Sequence, residues 1–383
     1  MMSSAARDTK TNDLVASVPV GRRPQGVAVD PRGRLVYVTN FADDSVSAIE
    51  ITRQAVLGTI PVGGGPEGIA IHPDGRRVYV ANFIQGTISV IDNRVNSVVA
   101  SISVDGLPVG IAIETTGERA FVSLISPSPS NRGKLVAIDT TSGRIAGGVQ
   151  VGVFQLGVSI TPDGRHIYVA NSEDDTVSVV DAATLAVIKD IPVGDRPVAV
   201  AFSPNGGVAY VTNQNSNDVS VVDTLGTVVA MIPVGAGPTG ASVNPDGSRV
   251  YITNVLENSV AVIETESNTV LTFVAAGGDP VSFGHFISPS ASQLIKTLIT
   301  DLELLNVQQG IQNSFDAKLQ AAQRALGDLR ENNAAAAIGA MEAFIQAVET
   351  QRWTEDTPNN KIVAEEADAL IAQAQLILEL LRP

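Results

Sequence analysis

The sequence predicts an all-β propeller, most simply of six four-stranded blades, followed by a small all-α antiparallel helical domain. A short segment recurs down most of the chain: Tyr37-Val-Thr-Asn40, Tyr79-Val-Ala-Asn82, Tyr168-Val-Ala-Asn171, Tyr210-Val-Thr-Asn213 and Tyr251-Ile-Thr-Asn254. The steps between the Asn positions are 42, 89, 42 and 41 residues, and the long step hides a degenerate copy, Phe121-Val-Ser-Leu124. A repeat of about 40 residues is one supersecondary unit stacked several times. After Pro289 the β-branched runs stop, and Ala, Leu, Gln and Glu take over.

Within each unit the punctuation is that of short strands. In the second copy, Gly68-Ile-Ala-Ile71 is followed by the turn His72-Pro-Asp-Gly75, and then Arg77-Val-Tyr-Val-Ala81 and Thr87-Ile-Ser-Val-Ile91 alternate. A second turn, Asp92-Asn-Arg94, leads into Ser97-Val-Val-Ala-Ser-Ile-Ser103. Four strands bounded by Gly, Pro, Asn and Asp, repeated radially, make a propeller blade. The turn between first and second strands recurs as Pro31-Arg-Gly, Pro73-Asp-Gly, Thr115-Thr-Gly, Pro162-Asp-Gly, Pro204-Asn-Gly and Pro245-Asp-Gly. Pro supplies the fixed φ early in such a turn and Gly the positive φ later.

Residues 1–12 are expected to be a disordered tail, 13–289 the propeller and 290–383 a helical bundle. Two pieces stand outside six complete units. Leu14-Val-Ala-Ser-Val-Pro-Val20 reads as a fourth strand without its blade, and Pro280-Val-Ser-Phe-Gly-His-Phe-Ile287 as a first strand without its successor. A ring must pair its ends or leave an open edge, so the N-terminal strand is expected to pair onto the last blade. The alternative is a seventh, incomplete blade. In the tail, Leu294, Ile295, Leu298, Ile299, Leu302 and Leu305, then Ile311, Phe315, Leu319, Ala322 and Leu326, recur at three- and four-residue steps. Two further runs, through Phe344 and through Leu370, do the same, which predicts about four amphipathic helices.

These motifs, with Val62-Gly-Gly-Gly-Pro66, Val193-Gly-Asp-Arg-Pro197 and Val234-Gly-Ala-Gly-Pro238, resemble the YVTN-type β-propeller repeat family over residues 13–288. That resemblance implies a propeller that is mostly seven-bladed in the family, and a bacterial or archaeal protein at the cell surface or secreted. Distant relatives on similar propellers include sugar lactonases, a lyase and a haem-binding domain. The tail, from Gly310-Ile-Gln-Asn-Ser-Phe-Asp-Ala-Lys-Leu319 to Ala367-Asp-Ala-Leu-Ile-Ala-Gln-Ala374, resembles the FIMAH-type helical module of bacterial secreted proteins, which implies an accessory role.

Composition narrows the chemistry. The chain has no cysteine, which excludes disulfides, thiolate metal sites and a cysteine nucleophile. Its formal net charge of −15 opposes nonspecific nucleic-acid binding, which needs many cationic phosphate contacts. No run of about 18 apolar residues predicts a membrane span. The N-terminus, Met1-Met-Ser-Ser-Ala-Ala-Arg-Asp8, lacks the apolar core of a signal peptide; a cytoplasmic location therefore stands beside the exported one.

Candidate site residues lie where strand ends meet the channel mouth. The repeated Asn40, Asn82, Asn171, Asn213 and Asn254 could ring the mouth with amides, although Asn also suits turns that need αL geometry and local hydrogen bonds. The residue after each entry-loop Pro shares that face: Gln25, Glu67, Val109, Val198 and Thr239, with Leu156 in the copy where Gln155 replaces Pro. Only Glu67 is ionisable, making it the one candidate catalytic group of the set, without a visible partner. Acidic loops Asp43-Asp44, Glu173-Asp174-Asp175 and Asn217-Asp218 offer calcium-type oxygen donors but lack EF-hand spacing, so no cofactor is expected. His72, His166 and His285 fall at unrelated repeat positions and predict no metal centre. The third copy departs most, with Leu124 for Asn and the longer loop Ser126-Pro-Ser-Pro-Ser-Asn-Arg-Gly133. Two functions are expected: a non-catalytic binding scaffold presenting loops to a protein or glycan, or a lactonase- or lyase-like enzyme with a channel-mouth site.

Overall fold

The computed structural model describes residues 3–7, 12–126, 132–276, 278, 280–281, 287, 294–295, 298–299, 301–302, 309–327, 334–351, 362 and 364–381. By contact density the chain divides into a propeller unit and a helical unit; the second comprises residues 288–383 together with 31–34.

Two N-terminal strands, β1 (Ser3–Arg7) and β2 (Leu14–Pro19), precede the blades. Blade 1 then consists of β3 (Pro24–Val29), β4 (Leu35–Asn40), β5 (Ser45–Glu50) and β6 (Ala55–Pro61), each antiparallel to the next. Blades 2 to 6 repeat this meander over residues 66–103, 107–153, 155–192, 197–233 and 238–275. The first strands of successive blades lie side by side, which places them around the axis. Each blade presents one face to its predecessor and one to its successor. Tyr37, Val46, Ala48 and Ile60 of blade 1 pack against Ile69, Val78, Val80 and Ile91 of blade 2, all 5 % exposed or less. The Tyr and Val of the recurring segment are therefore inter-blade core, as strand alternation requires.

Two expectations about the N-terminus need correction. Residues 1–12 hold strand β1 within the segment read as a disordered tail. And β2 pairs with β1, not with the last blade. The hairpin they form is a copy of the third and fourth strands of a blade. Pro19 faces Ser3 as Pro61 faces Ser45, and a register shift falls between Ala6 and Arg7 as one falls between Ala48 and Ile49. Asn12 takes φ 64° where Gln54, Asn96, Leu185 and Asn268 take 50°, 47°, 57° and 52°. Among the described residues the partner of β2 is β1. Its Val18 packs with Val38 and Ile49 of blade 1.

In the helical unit, α1 (Gln309–Gly327), α2 (Ala334–Gln351) and α3 (Ala364–Leu381) pack in sequence order. Their apolar faces form one core with Leu294, Ile295, Leu298 and Leu302. Phe315 and Phe344 meet edge to face at 5.5 Å at its centre. No helix among the described residues is long and apolar enough to cross a membrane.

Candidate functional site: the channel mouth

Four of the six blades are entered through a loop of the form Val-Gly-x-x-Pro, with Asp105 in place of the Gly in blade 3 and Gln155 in place of the Pro in blade 4, and the last residue of the loop pairs directly with the residue that ends the second strand, as Pro24 with Asn40 and Pro66 with Asn82. The predicted Asn ring is thus at the predicted end of the blade, but all five side chains are fully buried. Their amides are used inside the blade. Asn40 Nδ2 donates to Ser45 Oγ (3.1 Å) and Ser47 Oγ (3.0 Å), and its Oδ1 accepts from Gly21 N (3.0 Å). Asn82 donates to Thr87 and Ser89, Asn171 to Thr176 and Ser178, Asn213 to Asp218 and Ser220, and Asn254 to Ser259.

This arrangement explains the loop glycine, whose role composition alone did not reveal. A Cβ on Gly21, Gly63, Gly152, Gly194 or Gly235 would stand 2.5–2.6 Å from its blade's Asn amide, too close for any real contact. Blade 3 supplies the control. There Asp105 replaces the glycine and Leu124 replaces the Asn, so the two departures are one: without the amide, the backbone no longer has to approach so closely. Leu124 is instead buried among Ile111, Val122 and Val136. The signal was in the sequence as a paired loss within a single copy.

The Thr of the segment is also structural. Thr39 Oγ1 accepts from Gly26 N (2.7 Å) and donates to Glu67 O (2.8 Å), stitching blade 1 to blade 2. Ser123 does the same between Gly110 and Leu156 (2.8 and 2.5 Å). The acidic loops considered for calcium are anchors. Asp44 Oδ1 accepts from Gly65 N (2.8 Å), Asp175 Oδ1 from Arg196 N (2.9 Å) and Asn217 Oδ1 from Gly237 N (2.9 Å). Asp43 holds Arg22 through both its backbone N and Nε at 2.6 Å, which lowers its pKa. Among the described residues no three His, Asp or Glu side chains converge as metal ligands would. His72 is held between Asp74 and Gly117 O (2.9 Å), His166 enters the second strand of blade 4, and His285 lies outside the described residues. So does most of the long loop of blade 3. Its exit, Gly133, lies so close to Gln155 Oε1 that no side chain fits there.

What remains open at the mouth is a subset of the six entry-strand residues. Val109, Val198 and Thr239 are buried, whereas Gln25, Glu67 and Leu156 are partly exposed. Glu67 is distinctive. Burial of its carboxyl raises its pKa from 4.5 to about 7, opposed by the positive charge of Arg23. Arg23 itself is an αL residue (φ 51°) whose guanidinium lies 4.6 Å from the centroid of Phe41. The site is therefore a short polar arc, Arg23, Gln25 and Glu67, on blades 1 and 2. A separate cavity of about 570 Å³ lies between β2 and blade 1, lined by Pro19, Gly21, Ser45, Ser47, Val56 and Thr59 among others.

A family model described as "Lactonase, 7-bladed beta-propeller" matches residues 2–106 and 122–227, more than half of the chain. The chain belongs to that family. The stretch the family model skips, 107–121, opens blade 3, the blade that departs from the repeat. Among solved structures, this lactonase-family propeller is similar to a chain of Kuenenia stuttgartiensis hydrazine synthase, at 26% identity and a TM-score of 0.65, over 69% of this chain and 90% of that one. A functionally unknown protein from Desulfotomaculum acetoxidans DSM 771 shares the fold at 17% identity and a TM-score of 0.63, over 74% of this chain and 96% of that one. No curated protein matches.

Proposed function

We propose that this lactonase-family propeller is a binding scaffold that uses the Arg23–Gln25–Glu67 arc to hold a polar group of a protein or glycan at the channel mouth. The carrying observation is the contrast between frame and mouth. The buried Asn amides of five blades donate within their own blade, and the Thr39, Ser123, Thr212 and Thr253 hydroxyls bond the entry strands, so these positions serve the frame. The mouth positions vary around the ring, as Gln25, Glu67, Val109, Leu156, Val198 and Thr239, which turns a symmetric ring into one asymmetric site. A half-buried carboxyl with the Arg23 charge near it, and the partly exposed Gln25 amide at the equivalent position of the neighbouring blade, offer both an acceptor and donors to hydroxyl or amide groups. The family resemblance favours a location at the cell surface or outside the cell. The test is a glycan array and a surface-protein pull-down with wild type and Glu67→Gln. A ligand retained by the wild type and weakened at least tenfold in the variant supports the reading. Equal retention by both rejects it.

A second reading is favoured by the Glu67 pKa near 7, the value suited to a general base at neutral pH. In it, the Glu67 carboxylate takes a proton from water as the water adds to a lactone carbonyl. The ring C–O bond then breaks as the protonated Glu67 returns that proton to the leaving ring oxygen, giving a hydroxy acid, with Arg23 offsetting the developing negative charge. Lactone hydrolysis that rises with pH through about 7 and is lost in Glu67→Gln would favour this reading over simple binding.

A further inference from the structure

The sequence contains a single Asn-Gly pair, Asn205-Gly206, and it lies in the turn between the first and second strands of blade 5. The corresponding pair is Asp74-Gly75 in blade 2, Asp163-Gly164 in blade 4 and Asp246-Gly247 in blade 6. An Asn followed by Gly is open to an intramolecular reaction. The backbone nitrogen of the glycine attacks the side-chain amide carbon, and with no Cβ on the glycine little crowds its approach. Pro204 and Asn205 are exposed, so water and hydroxide reach the pair.

The four turns are built alike. Gly206 N donates to Ser203 O (2.8 Å), as Gly75 N does to His72 O (2.7 Å), Gly164 N to Thr161 O (2.8 Å) and Gly247 N to Asn244 O (2.9 Å). The four glycines take φ of 70°, 69°, 73° and 75° in that order. The Asn or Asp oxygen is bound one residue past the glycine, the local bond these side chains favour in turns. Asn205 Oδ1 accepts from Gly207 N (2.9 Å), as Asp74 Oδ1 accepts from Arg76 N (2.8 Å), Asp163 Oδ1 from Arg165 N (3.0 Å) and Asp246 Oδ1 from Ser248 N (2.8 Å). Blade 4 matches blade 5 in its hydroxyl as well. Thr161 Oγ1 donates to Asp163 Oδ1 (2.6 Å) and accepts from His166 N (3.0 Å). Ser203 Oγ donates to Asn205 Oδ1 (2.8 Å) and accepts from Val208 N (3.1 Å).

These bonds block the reaction while the turn is closed. The attacking nitrogen must give up its proton, and that proton is donated to Ser203 O. The amide must turn its carbon onto Gly206 N, and its oxygen is held by Gly207 N and Ser203 Oγ. The same bonds make the turn tolerant of aspartate. It uses Asn205 through the oxygen, and a carboxylate oxygen accepts in that place in blades 2, 4 and 6.

We propose that Asn205 is a gated deamidation site, closed to reaction while the blade 5 turn is formed and exposed to it by local opening. On opening, hydroxide takes the Gly206 N proton and the nitrogen bonds to Cγ of Asn205. The Cγ–Nδ2 bond breaks and ammonia leaves with a proton returned from water, giving a cyclic imide. Water then adds to the imide. Breaking the new N–Cγ bond restores the main chain and leaves an aspartate side chain. Breaking the bond to the backbone carbonyl carbon leaves isoaspartate, whose main chain is longer by one methylene. The aspartate product re-forms the turn of blade 4. The isoaspartate product does not fit, because the turn is seated between its neighbours. A Cβ on Gly206 would stand 3.4 Å from Pro162 Cδ of blade 4, and one on Gly247 of blade 6 would stand 3.3 Å from Pro204 Cδ. The site is at the far end of the first strand from the entry residue Val198, and it is independent of what the channel mouth binds.

The test follows loss of the Asn205 amide by peptide mass mapping, with isoaspartate read by enzymatic methyl transfer from S-adenosylmethionine. The full chain is held in mildly alkaline buffer, either folded or unfolded in guanidinium chloride. The expected rate is at least tenfold lower in the folded chain, and the ratio should match the exchange protection of the Gly206 amide proton within about threefold. Ser203→Ala removes one bond to the Asn205 oxygen and one from Val208 N, and should raise the folded rate at least threefold. Asn205→Asp should fold with the melting temperature of the wild type. Equal rates in the folded and unfolded wild-type chain, or a folded rate unconnected with Gly206 exchange, overturns the inference whatever the variants do. So does an Asn205→Asp chain that melts well below the wild type.

Discussion

Replacing Gly63 by Ala in blade 2 tests the lock between entry loop and Asn. The added Cβ would stand 2.6 Å from Asn82 Cγ and Nδ2 and 2.4 Å from Gln85 Oε1. Gln85 is at the far end of a flexible side chain and can move, but Asn82 is fully buried and donates to Thr87 Oγ1 (3.0 Å) and Ser89 Oγ (2.9 Å). Overpacking of this kind costs about 1–3 kcal/mol. Asn82→Ala removes both hydrogen bonds, at about 1 kcal/mol each, and leaves a small void, for roughly 2–3 kcal/mol. In the double variant the amide is gone, so the Gly63→Ala clash largely disappears. The two changes should therefore couple by about 1 kcal/mol or more, the double variant being more stable than the sum of the singles implies. Thermal melts followed by circular dichroism read this directly, since each kcal/mol moves the midpoint by about 2–4 °C in a propeller of this size. Additivity within about 0.5 kcal/mol would refute the lock and leave the pairing of Asp105 with Leu124 unexplained.

Glu67 gives a pH prediction. Its folded pKa of about 7 exceeds its unfolded value of 4.5, so the folded protein holds the extra proton between those values. Stability from this group is full below pH 4.5 and is lost as pH rises toward and past 7, by roughly 3 kcal/mol at most. Urea midpoints at pH 5 and pH 8 should differ more in wild type than in Glu67→Gln. Arg119→Ala should cost about 3 kcal/mol in urea unfolding, because it leaves the buried Glu114 unpaired and removes the 2.6 Å bond from Arg119 Nη1 to Ala182 O in the next blade. Phe344→Ala should destabilise the helical unit by about 3–5 kcal/mol, read as a lowered helical melting transition with the propeller transition unmoved.

The blade architecture was legible in the sequence because its grammar is local. A Pro-x-Gly turn, an alternating Tyr-Val strand and a β-branched outer strand each declare themselves within a few residues. The role of the Asn was legible only as a choice between two chemistries. Which one holds depends on Gly21 or Gly63 lying some 20 residues away in sequence, and only the folded backbone brings them together. Strand β1 escaped because Ser3-Ser-Ala-Ala-Arg7 has little β propensity of its own. Within the mouth, the sequence picked out Glu67 as the sole ionisable group. It did not reveal that Val109, Val198 and Thr239 are buried, nor that Arg23, one residue outside the chosen position, supplies the local charge.

The contiguity of each blade in the sequence also sets the order of events in folding. Each of the six blades is built from contiguous residues, so its strands meet after closing loops of only a few residues, and such local contacts form fast. Closing the ring between blade 6 and the N-terminal hairpin beside blade 1 is different: the two are separated by nearly the whole propeller sequence. Closure there carries the largest loop entropy and should come last. The same seam should be the first to open in the native state, so amide exchange should be fastest at β1 and β2 and slowest in the second and third strands of blades 3 to 5.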